Sequence, residues 1–265
     1  MSERQSALVL GVMIDVMEWN AALKILMTWA LRRESRYVCA CNVHSLVTTS
    51  LDAEYSHVVN EADMVAPDGA PVAWMMRRLG YAGQMRINGP DLMWRYCEQS
   101  QALAEPIFLY GSSEQTLAKL KMRLLADFPA LNIAGAISPP FRGLTPDEDA
   151  AFVEQINATR AGVVFVSLGC PKQELWMAAH RGRIFAVMIG VGAAFDYHAG
   201  TIKRAPNWIQ NCGMEWFYRL ISEPRRLWKR YLVTNTLFLF GAARQLLSER
   251  SKSGLAVKAK KPNIK

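Results

Sequence analysis

Asp68 stands between a proline and a glycine, directly after the apolar run Met64-Val-Ala66. A carboxylate at the carboxyl end of a strand can act as a general base. Pro-Asp-Gly is equally an ordinary turn, in which Asp caps the helix that follows. On these three residues both readings stay open. Arg86-Ile-Asn-Gly-Pro-Asp91 opens another helix, with Arg86 able to serve an anion and Asp91 read as structural. Gly111-Ser-Ser113 follows the apolar Ile107-Phe-Leu-Tyr110 and precedes a helix. Small residues there let a phosphate approach backbone N–H groups at the helix N-terminus, although any β-α turn favours Gly and Ser.

Other patterns are weaker. Asp147-Glu-Asp149 has the D-x-D arrangement that holds a divalent metal in many sugar-nucleotide transferases. Here it forms the first turn after Thr145-Pro146, a capping box in which carboxylates complement the helix dipole, so no metal site is expected. Gly190-Val-Gly-Ala-Ala-Phe195 ends in Phe where a dinucleotide fingerprint needs a small residue, and it comes late in the chain. No nicotinamide or other cofactor is expected. His44, His57, His180 and His198 are scattered, and no G-x-S-x-G elbow appears. Cys39, Cys41, Cys97, Cys170 and Cys212 form no C-x-x-C pair, which points to a reducing compartment.

Short apolar runs alternate with longer amphipathic stretches, the pattern of β-α units on a largely parallel sheet. The expected strands are Ala7–Val12, Tyr37–Cys41, Met64–Ala66, Ile107–Tyr110, Ile133–Ile137, Val163–Leu168 and Phe185–Ile189. Expected helices include Glu18–Arg32, Ala70–Leu79, Pro90–Leu103, Glu114–Asp127, Pro146–Asn157 and Lys172–His180. In such a sheet ligands gather beyond the carboxyl ends of strands. The loops at Asn42–Ser45, Asp68 and Gly111 are therefore the ones to search.

The chain of 265 residues is 51% hydrophobic and carries a formal net charge of +8. That charge is unevenly placed. From Glu215 onward there are 12 Lys and Arg against 3 Asp and Glu, leaving 19 against 20 in the rest. A basic end on a neutral body suggests an anionic surface as partner. The expected division is an α/β core over 1–207, a helical amphipathic appendage over 208–248 and a basic, disordered tail over 249–265. Taking Arg225 as the origin of a helical wheel, Arg225, Arg226, Lys229 and Arg230 fall on one side, and Leu227, Trp228, Tyr231 and Leu232 on the other. The longest uncharged run near the end, Tyr231–Ala243, has 13 residues, short of the roughly 20 that a spanning helix needs. The N-terminus does not read as a signal peptide, because Asp15 and Glu18 interrupt its apolar stretch.

Several motifs together resemble one known family. Asp68-Gly, Arg86-Ile-Asn-Gly-Pro-Asp91, Phe141-Arg-Gly-Leu-Thr145 and Gly169-Cys-Pro-Lys-Gln-Glu174 occur in order. They are followed by Gly190-Val-Gly-Ala-Ala-Phe-Asp196, Arg204-Ala-Pro206, Glu215-Trp-Phe-Tyr-Arg-Leu220 and Glu223-Pro-Arg-Arg-Leu-Trp-Lys-Arg-Tyr231. Over residues 8–240 the chain resembles the WecG/TagA/CpsF family of bacterial glycosyltransferases. That resemblance implies a metal-independent, inverting transferase with a Rossmann-like core. Its donor would be a UDP-sugar and its acceptor a monosaccharide on a polyprenyl diphosphate. It further implies Asp68 as catalytic base and Asn42, Arg86 and Gln173 as pocket residues around donor and acceptor; Gly111 and Asp196 are added as binding candidates. Where the family often has Thr two positions before the Asn, this chain has Ala40.

Without a metal, the leaving diphosphate must be met by cations and backbone N–H groups, for which the appendage cations Arg219, Arg225, Arg226 and Arg230 are candidates. Among donors, UDP-glucose is expected, as in exopolysaccharide glucosyltransferases, with UDP-N-acetylmannosamine or its uronic acid as alternatives. The protein is expected at the cytoplasmic face of the plasma membrane, bound peripherally to an anionic surface, with a homo-oligomer left open. A non-enzymatic membrane or nucleic-acid-binding module would explain the basic end but not Asp68, Arg86 and Gln173. A nucleic-acid partner is not expected, and a Rossmann-type oxidoreductase would be tested by nicotinamide binding.

Overall fold

A computed structural model describes residues 4–259. The chain opens with a hairpin, β1 (Ser6–Val9) and β2 (Val12–Asp15), where the sequence suggests one strand. Its turn, Leu10-Gly11, has both residues at positive φ, 46° and 88°. Leucine is an unusual occupant of that conformation, so the turn carries little local signal. After α1 (Trp19–Leu31) comes β3 (Arg36–Cys41), and then two helices not among those expected from the sequence, α2 (Val43–Leu51) and α3 (Ala53–Asn60). The chain continues through β4 (Met64–Pro67), α4 (Ala70–Arg78), α5 (Gly89–Ala102), β5 (Ile107–Gly111) and α6 (Glu114–Asp127). It completes the body with β6 (Ile133–Ile137), α7 (Pro146–Ala158), β7 (Val163–Ser167), α8 (Lys172–His180), β8 (Val187–Gly190) and α9 (Ala194–His198).

Strands β3 to β8 form one parallel, Rossmann-like sheet in the order β4-β3-β8-β7-β5-β6. Its central strands are buried on both sides, as their unbroken apolar runs require. One core lies under α2, α3 and the hairpin, with Leu46, Tyr55, Val9 and Met188. The other lies under α1, α5 and α6, with Leu26, Tyr96, Leu120 and Phe165. The chain runs from β3 outward to β4, then crosses to β5 and returns through β7 to β8. The carboxyl ends of β3, β4, β5 and β8 thereby surround one crevice.

Three helices follow the body: α10 (Asn207–Asn211), α11 (Glu215–Ser222) and α12 (Pro224–Ala259). The last takes in the first part of the segment expected to be a disordered tail, and residues 260–265 lie outside the described residues. Helix α12 buries Leu227, Thr234, Phe238 and Ala242, one stripe at helical spacing, and packs on α2. Gly241 belongs to that stripe, since a Cβ there would come within 2.8 Å of Leu10 Cδ2. The two sides of the expected wheel therefore do not survive intact. Leu227 turns into the core while Trp228 and Leu232 stay exposed. Arg226 and Arg230 face the crevice, whereas Arg225 and Lys229 are exposed.

Candidate active site

A cavity of about 840 Å³ opens beyond the carboxyl ends of the strands and is closed on one side by α11 and α12. Its floor is set by the turn after β4. The Asp68 N–H donates to the Cys41 carbonyl at 2.9 Å, which ties the turn to the end of β3. Gly69, at φ 91°, is the N-cap of α4 and Pro71 stands in its first turn. The capping role that the sequence allowed for Asp68 is thus not used, and its carboxylate faces the cavity. Arg86 Nε lies 3.7 Å from Asp68 Oδ1. Burial pushes the Asp68 carboxyl above the ordinary carboxylate range; the Arg86 charge opposes this, the Glu215 charge adds to it, and the Asn42 amide favours the ionised form.

Asn42 is positioned by its own helix. Its Oδ1 accepts from the N–H groups of His44 and Ser45 and so caps α2, which leaves the amide nitrogen for Asp68. The neighbouring His44 is held neutral: burial, then the Arg230 charge, pushes its pKa down to about 4. Gln173 lines the cavity but is largely engaged by the protein. Its Oε1 accepts from Gly192 N–H at 3.1 Å and its Nε2 donates to Glu174 Oε1 at 2.8 Å. Gly111 has a structural reason of its own, since a Cβ there would lie 2.4 Å from the Ser167 carbonyl oxygen on β7. Ser112 and Ser113, which follow it, line the cavity, and Ser113 caps α6. Asp196 also lines the cavity and accepts from Thr201 Oγ1 at 3.0 Å.

Of the appendage cations, Arg219, Arg226 and Arg230 line the cavity and Arg225 does not. Arg226 pairs with Glu223 at 2.7 Å. Arg219 and Arg230 instead lie over the Tyr197 and Tyr231 rings, at 5.8 and 5.6 Å from the ring centroids. Among the described residues neither has a carboxylate within ion-pair distance, and the Nε of each is buried without an acceptor. Such groups are costly to bury unpaired, and together they suit a ligand rich in anionic oxygens.

Two residues at the site were not singled out from the sequence as site residues, Arg204 and Glu215. Arg204 donates to Asp91 Oδ1 at 2.5 Å and to Asn88 Oδ1 at 3.2 Å. Glu215 accepts from Arg86 at 2.5 Å and lies 3.9 Å from Arg204. Both stand inside the shared motifs, which was the one available signal. The D-x-D segment lies elsewhere, in the first turn of α7, and two of its three carboxylates are engaged by the protein. Glu148 completes the Thr145 capping box and binds Arg142, while Asp149 binds His180 at 2.8 Å and Arg183 at 2.6 Å. Among the described residues no group of three or more His, Cys, Asp or Glu is arranged to hold a metal ion.

Residues 7–252 match the Glycosyl transferase WecG/TagA/CpsF family. An N-acetylglucosaminyldiphosphoundecaprenol N-acetyl-beta-D-mannosaminyltransferase of Bacillus spizizenii is 30% identical over 207 residues, covering 77% of this chain and 78% of its own length. A protein of the same name from Bacillus subtilis is 34% identical over 183 residues, covering 68% of this chain and 69% of its own.

Proposed function

The chain belongs to the WecG/TagA/CpsF family and is a glycosyltransferase, and from that premise we propose that it moves a hexose from a UDP-sugar to a monosaccharide carried on a polyprenyl diphosphate. The observation that carries the reading is the Asp68 carboxylate, not used as a helix cap and 3.7 Å from Arg86, in a cavity that also holds two arginines with no carboxylate at ion-pair distance among the described residues. Asp68 takes the proton of the acceptor hydroxyl as that oxygen bonds to the anomeric carbon. The bond from the anomeric carbon to the diphosphate oxygen breaks from the opposite face, so the configuration inverts and UDP leaves with both electrons. Arg219 and Arg230 meet the charge that develops on the diphosphate, the moment at which fixed cations lower a barrier most.

Of the donor hexoses considered from the sequence, glucose finds no support in the relatives, whose names specify transfer of N-acetylmannosamine. UDP-N-acetylmannosamine is therefore the donor we carry forward, with N-acetylglucosaminyldiphosphoundecaprenol as acceptor. A lipid acceptor requires the enzyme to meet a membrane. No helix among the described residues is long and apolar enough to cross one. The appendage exposes Trp208, Ile221, Trp228, Leu232 and Phe240, with Arg225 and Lys229 nearby in sequence on α12, a composition that suits an anionic interface. The test is release of UDP from a panel of UDP-hexoses, supplied with a synthetic lipid-diphosphate N-acetylglucosamine. Turnover with N-acetylmannosamine is expected. Turnover with glucose alone would reverse the choice of donor, and no release with any pair would reject the reading.

A further inference from the structure

Glu215 is the first residue of α11, and its carboxylate is where the appendage meets the cation beside the base. Arg86 reaches Glu215 at 2.5 Å through Nη2, while its Nε stays 3.7 Å from Asp68 and has no hydrogen-bond acceptor. Arg204 stands on the other side of Glu215, at 3.9 Å, and is itself held by Asp91 at 2.5 Å. Three carboxylates thus share two guanidiniums, and Asp68 is the one left most loosely paired. We propose that Glu215 is a positioning residue for the transfer: it draws the Arg86 guanidinium toward α11 and keeps that cation from closing on Asp68, so that docking of the appendage readies the carboxylate to accept a proton.

A carboxylate in a close, hydrogen-bonded pair with arginine is a poor base, because the cation favours its ionised form. Asp68 is not in that state. Its carboxyl is pushed upward, by burial first and with Glu215 adding its own charge. The groups facing it come from several elements: Cys41 at the end of β3, Asn42 at the start of α2, Arg86 before α5, Arg204 after α9, and Glu215 on α11. Asp91 on α5 and Arg219 on α11 stand one contact further out. Buried Cys41 is pushed up and remains a neutral thiol, and Asp91 is held down, by hydrogen bonds from Arg204 and Asn88 against its own burial. After burial, the charges of Arg86 and Glu215 therefore weigh most on how basic Asp68 is. Without the appendage, Arg86 loses its hydrogen-bonded partner Glu215, and Asp68 is the carboxylate 3.7 Å from its Nε.

The inference rests on Asp68 being the base, and the experiment separates the two. The pH profile of kcat/KM is measured on the full chain for wild type, Glu215→Gln, Glu215→Asp and Asp68→Asn. Glu215→Gln can still accept a hydrogen bond from Arg86 but lacks the charge. It should move the acid limb of the profile down by about one pH unit, the size expected for removal of one nearby charge. Its plateau turnover should fall by about threefold and no more than about tenfold, as a base weaker by about one pK unit requires. Glu215→Asp, which keeps the charge, should keep the limb near its wild-type position. An unmoved limb in a folded Glu215→Gln protein would reduce Glu215 to a latch for α11 and overturn the proposal, with Asp68 still the base if Asp68→Asn is inactive. An active Asp68→Asn protein would instead remove the reading on which the proposal rests. Should Glu215→Gln fail to fold, Glu215→Ala, which also removes the charge, decides: a limb displaced downward supports the proposal, and an unmoved limb overturns it.

Discussion

The side-chain oxygen of Gln245 accepts the backbone N–H of Leu10 at 3.0 Å, across 235 positions of the chain. The same amide donates to the Leu8 carbonyl at 2.7 Å, so Gln245 pairs with the edge of β1 as a neighbouring strand would. The contact holds the positive-φ turn of the hairpin and fixes the far part of α12 to the body. With Phe238 and Ala242 buried beside it, α12 can extend back over the cavity and present Arg230 and Tyr231 there.

Gln245→Ala removes both hydrogen bonds and leaves the cavity lining untouched. The loss is about 1–3 kcal/mol of docking free energy, given about 0.5–1.5 kcal/mol per bond. Transfer should fall several-fold, and limited proteolysis should cut earlier between α9 and α11, while the melting temperature of the α/β body changes little. Wild-type turnover and wild-type protease resistance together would show that the clasp does not position the appendage.

Asp68→Asn should lower turnover at least about 10²-fold at saturating substrates, as expected for loss of a general base, and leave UDP binding in place. The sign of the pH dependence follows from the raised Asp68 carboxyl. The base works only when ionised, so wild-type kcat/KM should fall as pH drops through a value above the ordinary carboxylate range. For stability the order is reversed: the contribution of a raised carboxyl is present below its unfolded-state pKa and lost as pH rises through the folded one. At neutral pH the Asn variant should therefore melt no lower than wild type. A marked drop in melting temperature would mean that the Arg86 contact outweighs the cost of burying the charge.

Much of this was legible in the sequence, and the exceptions have a common cause. The parallel sheet followed from apolar runs that leave no polar face, and Asp68 stood out because a strand signal ends directly before it. What local sequence could not convey were partners brought in by the fold. Gly111 reads as a phosphate-binding glycine until the Ser167 carbonyl of the adjacent strand is seen to fill the space of its Cβ. Gln173 is a pocket residue that the resemblance implies, and the fold adds Gly192 and Glu174 as the partners that hold its amide. Glu215 carried no signal by itself, because its partner Arg86 is 129 positions away. Of the hairpin, the sequence suggested one strand, since its turn uses leucine where Asn or Gly would have announced a reversal.

Arg219 and Arg230 should act on the donor. Each lacks a carboxylate partner among the described residues, so replacement by Ala breaks no ion pair and its cost should fall on substrate. Loss of one charge-assisted contact to a diphosphate costs about 1.5–3 kcal/mol, or roughly 10–10²-fold in kcat/KM. Lysine should restore part of this, because it keeps the charge but not the planar fork. Isothermal titration with UDP checks the assignment independently of turnover. UDP affinity unchanged in both Ala variants would place the diphosphate elsewhere.

The exposed side of the appendage should carry the membrane contact, on residues other than those that line the cavity. Arg226 and Arg230 line the cavity, so reversing their charge would disturb the site as well as any surface contact. Arg225 and Lys229 are exposed and outside the lining, and they are the cations to reverse. Each cation near an anionic leaflet contributes about 1 kcal/mol, so Arg225→Glu with Lys229→Glu should weaken binding to anionic vesicles at least about 30-fold, the equivalent of ~2 kcal/mol. Trp228→Ser with Leu232→Ser tests the apolar part. Both side chains are exposed, 49% and 62%, so their loss should leave the melting temperature within a degree or two of wild type. Co-sedimentation with phosphatidylglycerol vesicles should fall in both double variants, and turnover on a short, water-soluble acceptor should remain. Undiminished sedimentation of both would remove the membrane contact from this face. A shift in sedimentation velocity caused by the Trp228 and Leu232 changes would assign the face to a second copy of the chain.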